Sequence, residues 1–419
     1  MHIVVFSMMY APDDFKINDI VLELIRQGHS VKVVTGLPDY ATSHIPGEYR
    51  WFRKRHEKMV RYEVRRLPII ARRHGVLFRM FNYLSYVVSG SIYALFCRKK
   101  DTDAILVYET SPIFQAIPAL IFKKLAHRPL TLYCCDVWPA CVQAWNVSEH
   151  SFFYRFSLRA SRFIYRRCDT VAVSSRPFIP YLHEVCGVDK ERMPYLPQHA
   201  EDLYSDICGV YEEDGCTDFL FAGNIGAVQD VECIIKATAR LPGELPFKVH
   251  IVGAGSNLNA CKQLVEQLSL QNKVVFHGRH PQSQMPRYYK MADCMLLTLR
   301  GGDMIGETLP AKAQSYLSVG KPIVGAIDGA GREMIIEADC GEGVPAGDNE
   351  ALAAAMRRVI EHPAVYRQKG QNGRRFFEEN YTKALFMQRL MALLQPTQYQ
   401  AHVPAHVANR LKTTSNALK

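Results

Sequence analysis

Residues 309–322 read LPAKAQSYLSVGKP and predict a short helix with sharply defined ends. Pro310 suits the first turn, which needs no backbone N–H, while Gly320 suits the position just past the last turn and Pro322 prevents continuation. A buried strand is predicted to begin at once, at Ile323. The stretch therefore indicates a helix-to-strand crossover of an α/β domain.

Lys312 lies in the first turn of this predicted helix, where the positive end of the helix dipole repels a cation. A phosphate between the lysine and the helix end would remove the conflict. A solvated surface lysine is the alternative. The segment by itself leaves both interpretations open.

Length and composition predict two cytoplasmic α/β domains without a metal site. The 419 residues exceed one typical core, and 48% of them are hydrophobic. Met1 leads straight into a strand pattern with no secretory signal ahead of it. Twelve cysteines occur without a CxxC pair, which is typical of small core residues in a reducing compartment.

The positive charge is concentrated in one part of the chain. The net charge is +10, and residues 50–100 hold fourteen Lys/Arg against two Glu, a local charge of +12. Such a block predicts an anionic partner, either nucleic acid or a membrane surface. Because no nucleic-acid-binding motif accompanies it, we expect an anionic membrane surface and no nucleic acid.

Residues 80–97 carry no charge, but a membrane span is not expected there. A span would separate two strands before it from a third strand, near 104–108, that belongs to the same sheet. Asn82, Ser85 and Ser89 form a narrow polar stripe, which favours a helix partly packed on the domain and partly facing lipid headgroups. A wholly buried core helix is the alternative.

The first domain is predicted over 1–205. A βαβ opening, with strands at 2–7 and 31–35, predicts a parallel sheet that binds ligands at the carboxyl ends of its strands. Asp136 follows the strand at 130–135 and so lies at that edge. It is expected to bind an acceptor or handle a proton, or else to be a structural turn residue.

The second domain, predicted over 216–380, has a glycine turn after each of three strands. These turns contain Gly223 to Gly226, then Gly253, then Gly278, where backbone N–H groups can approach a phosphate. A last amphipathic helix is predicted from about 376, with 381–395 packing near the domain junction. The tail at 396–419 is expected to be mobile.

The chain resembles the family-4 glycosyltransferases of GT-B fold. Within them it is similar to the branch of N-acetyl-fucosamine transferases in bacterial O-antigen and capsule assembly. The resemblance implies two Rossmann-like parallel-sheet domains facing across a cleft. The matching segments are GHSVKVVTGLPDY (28–40), CCDVWP (134–139), YLPQHAE (195–201), FAGNIG (221–226), FHGR (276–279) and AKAQSYLSVGKPIVG (311–325).

The resemblance also implies an activity. A sugar, expected to be an N-acetylated amino or deoxy sugar, would pass with retention of configuration from a nucleotide diphospho-sugar, expected to be a UDP-sugar. The acceptor would be a polyprenyl-diphosphate-linked saccharide at the cytoplasmic side of the inner membrane, where the enzyme is peripheral. No metal or cofactor is required, since fixed dipoles and cations stabilise the leaving diphosphate.

Site residues follow from the same resemblance. The family's two glutamates, eight residues apart, fall at Glu307, which is retained, and at Ser315, which is not. A basic residue after the first glycine turn is also missing, which places more of the diphosphate charge on Lys312 and Arg300. The expected catalytic residues are Asp136, Lys312 and Glu307. The expected donor-binding residues are Gly223, Asn224, Gly226, Gly253, Arg279, Arg300, Lys312 and Ser315.

Two other functions remain open from the sequence. A sugar-nucleotide epimerase would share the fold but would have no need of the basic block. A non-catalytic membrane scaffold would bind no nucleotide.

Overall fold

The computed structural model describes residues 1–40, 43–51, 53–73, 75–143, 147–212, 214–302 and 304–395. It confirms the predicted α/β architecture of two parallel-sheet domains. The tail at 396–419, predicted to be mobile, lies outside the described residues.

The first sheet has seven strands in the order β3-β4-β2-β1-β5-β6-β7. All neighbours are parallel except the edge hairpin β3–β4, which the sequence analysis did not predict. The strands are β1 (His2–Phe6), β2 (Ser30–Thr35), β3 (His56–Lys58), β4 (Tyr62–Arg66), β5 (Ala104–Glu109), β6 (Leu130–Cys134) and β7 (Thr170–Val173). The helices around it are α1 (Lys16–Arg26), α2 (Val76–Phe96), α3 (Ile117–Ala126), α4 (Ala140–Gln143), α5 (Phe152–Arg167) and α6 (Phe178–Tyr181).

The second sheet has six parallel strands in the order β10-β9-β8-β11-β12-β13. They are β8 (Thr217–Ala222), β9 (Phe247–Val252), β10 (Val274–Gly278), β11 (Cys294–Thr298), β12 (Ile323–Ala326) and β13 (Gly341–Val344). The helices that follow β8 are α7 (Val231–Ala239), α8 (Leu258–Gln267), α9 (Met285–Met291), α10 (Ala311–Ser318), α11 (Gly329–Glu337), α12 (Asn349–Glu361), α13 (Pro363–Asn380) and α14 (Lys383–Leu394).

The polar stripe of α2 faces inward. Asn82 is 1% exposed and donates through Nδ2 to Asp39 at 2.8 Å, and the Ser85 hydroxyl accepts from the Ile70 N–H. The outer face instead carries exposed apolar side chains, including those of Phe81 and Phe96. The helix is therefore half-buried, as expected, and the wholly buried alternative is wrong. The hydrogen bonds of the polar stripe tie α2 to the domain, and contact of its outer face with lipid headgroups stays a prediction.

The predicted last helix from about 376 is two helices. Tyr381 separates α13 from α14, and Thr382 caps α14 in an extended conformation by accepting from the Leu385 N–H. A hydroxyl that satisfies a free N–H at a helix start favours a new helix over continuation of the old one.

Helix α14 leaves the second domain and packs on the first sheet. Phe386, Leu390 and Leu394 are almost fully buried in the core that also contains Ile17 of α1. The chain therefore crosses between the sheets twice, once near 196–216 and once at 381–382.

All twelve cysteines are within the described residues and none forms a disulfide. Within the same residues, no helix is both long and apolar enough to cross a bilayer.

Candidate active site

A cavity of about 720 Å³ lies at the carboxyl ends of the second sheet's strands, facing the first domain. Six of the predicted donor-binding residues line it, namely Gly223, Asn224, Gly253, Arg279, Lys312 and Ser315. Lys16 and Tyr40 of the first domain complete the wall. The ends of parallel strands are where α/β sheets bind ligands, so the position matches the expectation from sequence.

Two of the glycine turns form the floor by packing directly on each other. A Cβ at Gly253 would stand 1.8 Å from the Gly223 carbonyl oxygen, and one at Gly255 would stand 2.2 Å from that of Ile225. Gly223 and Gly253 also have φ near +150°, which only glycine adopts readily. Glycine is therefore required here for the packing of one turn on the other, in addition to any approach of a phosphate.

Helix α10 is fixed above this floor by Tyr316. Its hydroxyl accepts from the Ala222 N–H at 2.9 Å, at the end of β8. The first domain also reaches this helix, because the Leu309 N–H donates to the Ser175 hydroxyl at 3.0 Å. Pro310 is the N-cap residue and α10 begins at Ala311, one residue later than predicted.

Lys312 is not a solvated surface lysine. Its Nζ is buried, has no hydrogen-bonding partner among the described residues, and lies 3.7 Å from the centroid of the Phe221 ring. Burial lowers the pKa of this ammonium to about 7. A buried cation without a partner, at a helix N-terminus and against a glycine floor, is unfavourable in the free protein and suited to an anionic ligand.

Ser315 reaches a carboxylate that the sequence analysis missed. Its hydroxyl donates to Glu201 Oε2 at 2.6 Å, and Lys16 Nζ lies 2.6 Å from Glu201 Oε1. Burial works to raise the pKa of Glu201, but Lys16 and Ser315 more than offset it and the pKa lies below its ordinary value. A carboxylate therefore stands beside position 315 after all, supplied by the linker between the domains.

Only three-dimensional proximity could have revealed Glu201. It is the last residue of the YLPQHAE segment, but 114 residues separate it from Ser315. The sequence marked this segment through the family resemblance, but it did not show which residue the glutamate contacts.

Asp136 lies at the carboxyl end of β6, outside the lining of the cavity. Burial raises the pKa of its carboxyl above the ordinary value, although the Ser111 N–H donates to Oδ2 at 2.9 Å and opposes the shift. Glu109 lies close by, and burial followed by the charge of Asp136 raises its pKa strongly. Neither Glu109 oxygen has a well-formed hydrogen bond within the described residues, although the Cys134 thiol is near enough to oppose the shift slightly.

Three further predicted residues do not line the cavity. Glu307 lies against Gly329 at the start of α11, where burial and then Asp328 raise its pKa. Arg300 is exposed just beyond β11. Gly226 donates to the side chain of Gln229, which closes the first glycine turn. Their roles stay predictions.

The described residues contain no group of three His, Cys, Asp or Glu side chains close enough to hold a metal ion. The expectation of a metal-free reaction stays a prediction, because it concerns the chemistry of the loaded enzyme.

Two family models match the chain, one over each domain. Residues 16–199 match the glycosyl transferase 4-like domain, and residues 212–376 match the glycosyl transferases group 1 family.

Individual proteins agree with these models. The chain is 25% identical over 341 residues to WcaI of Escherichia coli (strain K12), and the match covers 76% of this chain and 82% of WcaI. The name of WcaI provisionally describes it as a glycosyl transferase of colanic acid biosynthesis. It is 26% identical over 310 residues to WbjE of Pseudomonas aeruginosa, again provisionally named a glycosyltransferase, covering 70% of this chain and 73% of WbjE.

A solved structure shares the fold. The Anabaena protein HepE, solved in complex with UDP and glucose, matches with a TM-score of 0.68 and 15% identity over 94% of this chain and all of HepE. One conclusion follows from the family matches, the named relatives and the paired parallel-sheet domains. The protein is a glycosyltransferase of the GT-B fold, in which a glycosyl transferase 4-like domain precedes a glycosyl transferases group 1 domain.

Proposed function

We propose that the enzyme transfers a sugar, with retention of configuration, from a UDP-sugar to a lipid-linked saccharide during polysaccharide assembly. The observation that carries this proposal is the buried, unpartnered ammonium of Lys312 beside the glycine floor. A diphosphate there would replace an uncompensated buried charge with a charge-assisted hydrogen bond.

The chemistry needs little from the protein beyond position and charge. The bond between the sugar's anomeric carbon and the donor phosphate oxygen breaks, and the acceptor oxygen bonds to the same face of that carbon. A donor phosphate oxygen takes the acceptor's proton. Lys312 and the N-terminal end of α10 stabilise the negative charge that develops on the diphosphate.

Different residues are assigned to the donor and to the acceptor. Lys16, Glu201 and Ser315 face the donor cavity, and a carboxylate there cannot bind the diphosphate, so Glu201 is assigned to hydroxyl groups of the nucleoside. Asp136 lies outside the cavity and is assigned to the acceptor. HepE is bound to UDP and WcaI is named for colanic acid biosynthesis, which supports a UDP-sugar donor and a polysaccharide product. An N-acetylated amino or deoxy sugar is the group we expect to be transferred.

The acceptor is proposed to reach the enzyme at an anionic membrane on its cytoplasmic side. Helix α2 presents apolar side chains outward, and α5 carries five arginines and no acidic residue. One residue of the basic block supports the fold instead of facing a membrane. Arg66 is 4% exposed, pairs with Glu57 and donates to the Ala11 carbonyl, so it supports the fold.

A nucleotide screen tests the donor assignment. UDP-sugars should raise the melting temperature of the protein, since a ligand at 100 times its Kd adds about 2.7 kcal/mol to the free energy of unfolding. GDP- and dTDP-sugars are the comparison. A protein that responds to none of them would contradict the proposal, and a product formed from the donor alone would indicate an epimerase instead.

A further inference from the structure

A second cavity, of about 550 Å³, opens between α2 and α5 on the outer face of the first domain. Its lining is almost entirely apolar and includes Leu84 of α2, Phe114 before α3, Trp138 after β6 and Phe156 of α5. Phe114 packs edge-on against Trp138 at 5.6 Å and lies 5.9 Å from Phe156, measured between ring centroids. We call this cavity the α2–α5 groove. Its size is that of a ligand pocket.

The groove ends next to Asp136. The Trp138 indole N–H donates to the Ser111 hydroxyl at 3.1 Å, and the Ser111 N–H donates to Asp136 at 2.9 Å. Trp138 and Asp136 are therefore held by the same residue. An occupant of the groove would have one end beside the carboxylate that is assigned to the acceptor.

Arg72 is near the lining of both cavities. Tyr83 lines the groove, where burial raises the pKa of its hydroxyl and the positive charges of Arg72 and Arg79 oppose that shift. The Arg72 guanidinium lies 4.9 Å from the ring centroid of Tyr40, which lines the donor cavity.

The surroundings of the groove are positively charged. Arg79 lines it, and Arg155 and Arg159 are exposed on α5. Neither α2 nor α5 contains an aspartate or glutamate. An occupant with an apolar body and an anionic head would therefore find complementary surroundings.

A peptide segment fits this groove poorly. A peptide brings backbone N–H and C=O groups that need partners when buried, and the Trp138 N–H is already used by Ser111. A hydrocarbon chain needs no such partners. We propose, resting on the proposed function, that the α2–α5 groove binds the hydrocarbon chain of the lipid-linked acceptor, with its diphosphate near Arg79 and its saccharide toward Asp136.

The probe for this proposal is farnesyl diphosphate, with isopentenyl diphosphate as the same head on a short chain and dodecyl maltoside as a chain with a neutral head. Binding is measured by calorimetry below the critical micelle concentrations, with the donor cavity saturated by UDP. Farnesyl diphosphate should bind at least about tenfold more tightly than either comparison compound.

Matched substitutions test whether farnesyl diphosphate binds in the groove. Phe156→Glu and Leu84→Glu, at side chains 52% and 59% exposed, should each weaken farnesyl diphosphate by about tenfold or more. Phe163→Glu and Ile92→Glu lie on the same two helices at 49% and 54% exposure but outside the groove, and should leave the affinity unchanged. A photoreactive analogue with a terminal diazirine should label α2 and α5 residues of the groove.

The outcomes separate this inference from the proposed function. Equal affinity for the long and short diphosphates, equal effects of groove and control variants, or labelling elsewhere would overturn the groove assignment. A protein that binds farnesyl diphosphate in the groove but no UDP, in the absence of competitor, would instead overturn the proposed UDP-sugar donor.

Discussion

Lys312 has an unfavourable environment in the free protein, and its role can be measured directly. Replacing it by methionine keeps an apolar contact with Phe221 and removes the charge. UDP should then bind more weakly by about 1.5–3 kcal/mol, the value of a hydrogen bond to a charged group. Calorimetry measures this loss. Lys290→Met, at an exposed lysine of α9, is the control and should bind UDP normally.

The same lysine predicts a pH dependence. Its pKa is about 7 in the folded protein and 10.5 ordinarily, so between these values the unfolded chain holds the extra proton. Without ligand, the free energy of unfolding should therefore rise with pH across this window, and it should rise less in Lys312→Met. At pH 8 a bound diphosphate should restore the charge, so binding should take up close to one proton. Titrations in buffers of different ionisation enthalpy measure the uptake, and its absence would contradict ligation by Lys312.

Asp136 is expected to act on the acceptor. Asp136→Asn should reduce transfer by about a hundredfold or more while UDP affinity stays the same. Glu109→Gln is the matched control, because it makes the same change at a neighbouring buried carboxyl that lies outside the cavity lining and has no assigned role. If Asp136→Asn turns over normally, Asp136 is a structural turn residue.

Glu201 is expected to bind nucleoside hydroxyls. The parent protein should then prefer UDP over 2′,3′-dideoxy-UDP, and Glu201→Gln should lose that preference. Lys16→Met removes the ion pair but keeps the carboxylate, and should retain the preference. The double variant Glu201→Gln, Ser315→Glu should recover it by returning a carboxylate to the helix. Retained discrimination in Glu201→Gln would assign the hydroxyls to another group.

Helices α2 and α5 are the elements expected to meet the membrane. Arg155 and Arg159 are exposed on α5, and each basic residue near an anionic surface contributes about 1 kcal/mol. Reversing both to glutamate should weaken co-sedimentation with vesicles containing 30% phosphatidylglycerol by at least about thirtyfold. Lys248→Glu with Lys262→Glu makes the same charge change in the second domain. Equal loss in the two proteins, or binding insensitive to salt, would contradict this assignment.

Helices and strands were predicted best where proline and glycine residues mark their ends. The strand Ile323–Ala326 and the helix before it followed from Pro310, Gly320 and Pro322. The side of α2 that faces the core could not be predicted, since periodicity shows which residues share a face but not which face is buried. The pairing of Ser315 with Glu201 depends on tertiary contact, which no local pattern encodes.

In the whole molecule, the two crossings of the chain should keep the halves together after a cut. A specific protease site inserted after Gly209 opens the first crossing, but α14 still buries Phe386 and Leu390 in the first domain. The fragments should therefore co-elute in size-exclusion chromatography. A second site at 381–382, cleaved after folding, should release them, and separation after the first cut alone would show that α14 is weakly held.

The return of α14 also makes the first domain discontinuous in sequence. Its core needs residues 383–394, so a fragment ending at 205 would lack part of its own interior. The described chain nevertheless closes on itself, because the Gln395 amide contacts the Met1 sulfur at 2.8 Å. A circular permutant that begins at Cys216 and joins 395 to 1 through a short linker would encode each lobe as one uninterrupted segment, with the sugar-transfer cleft assembled from two separable modules.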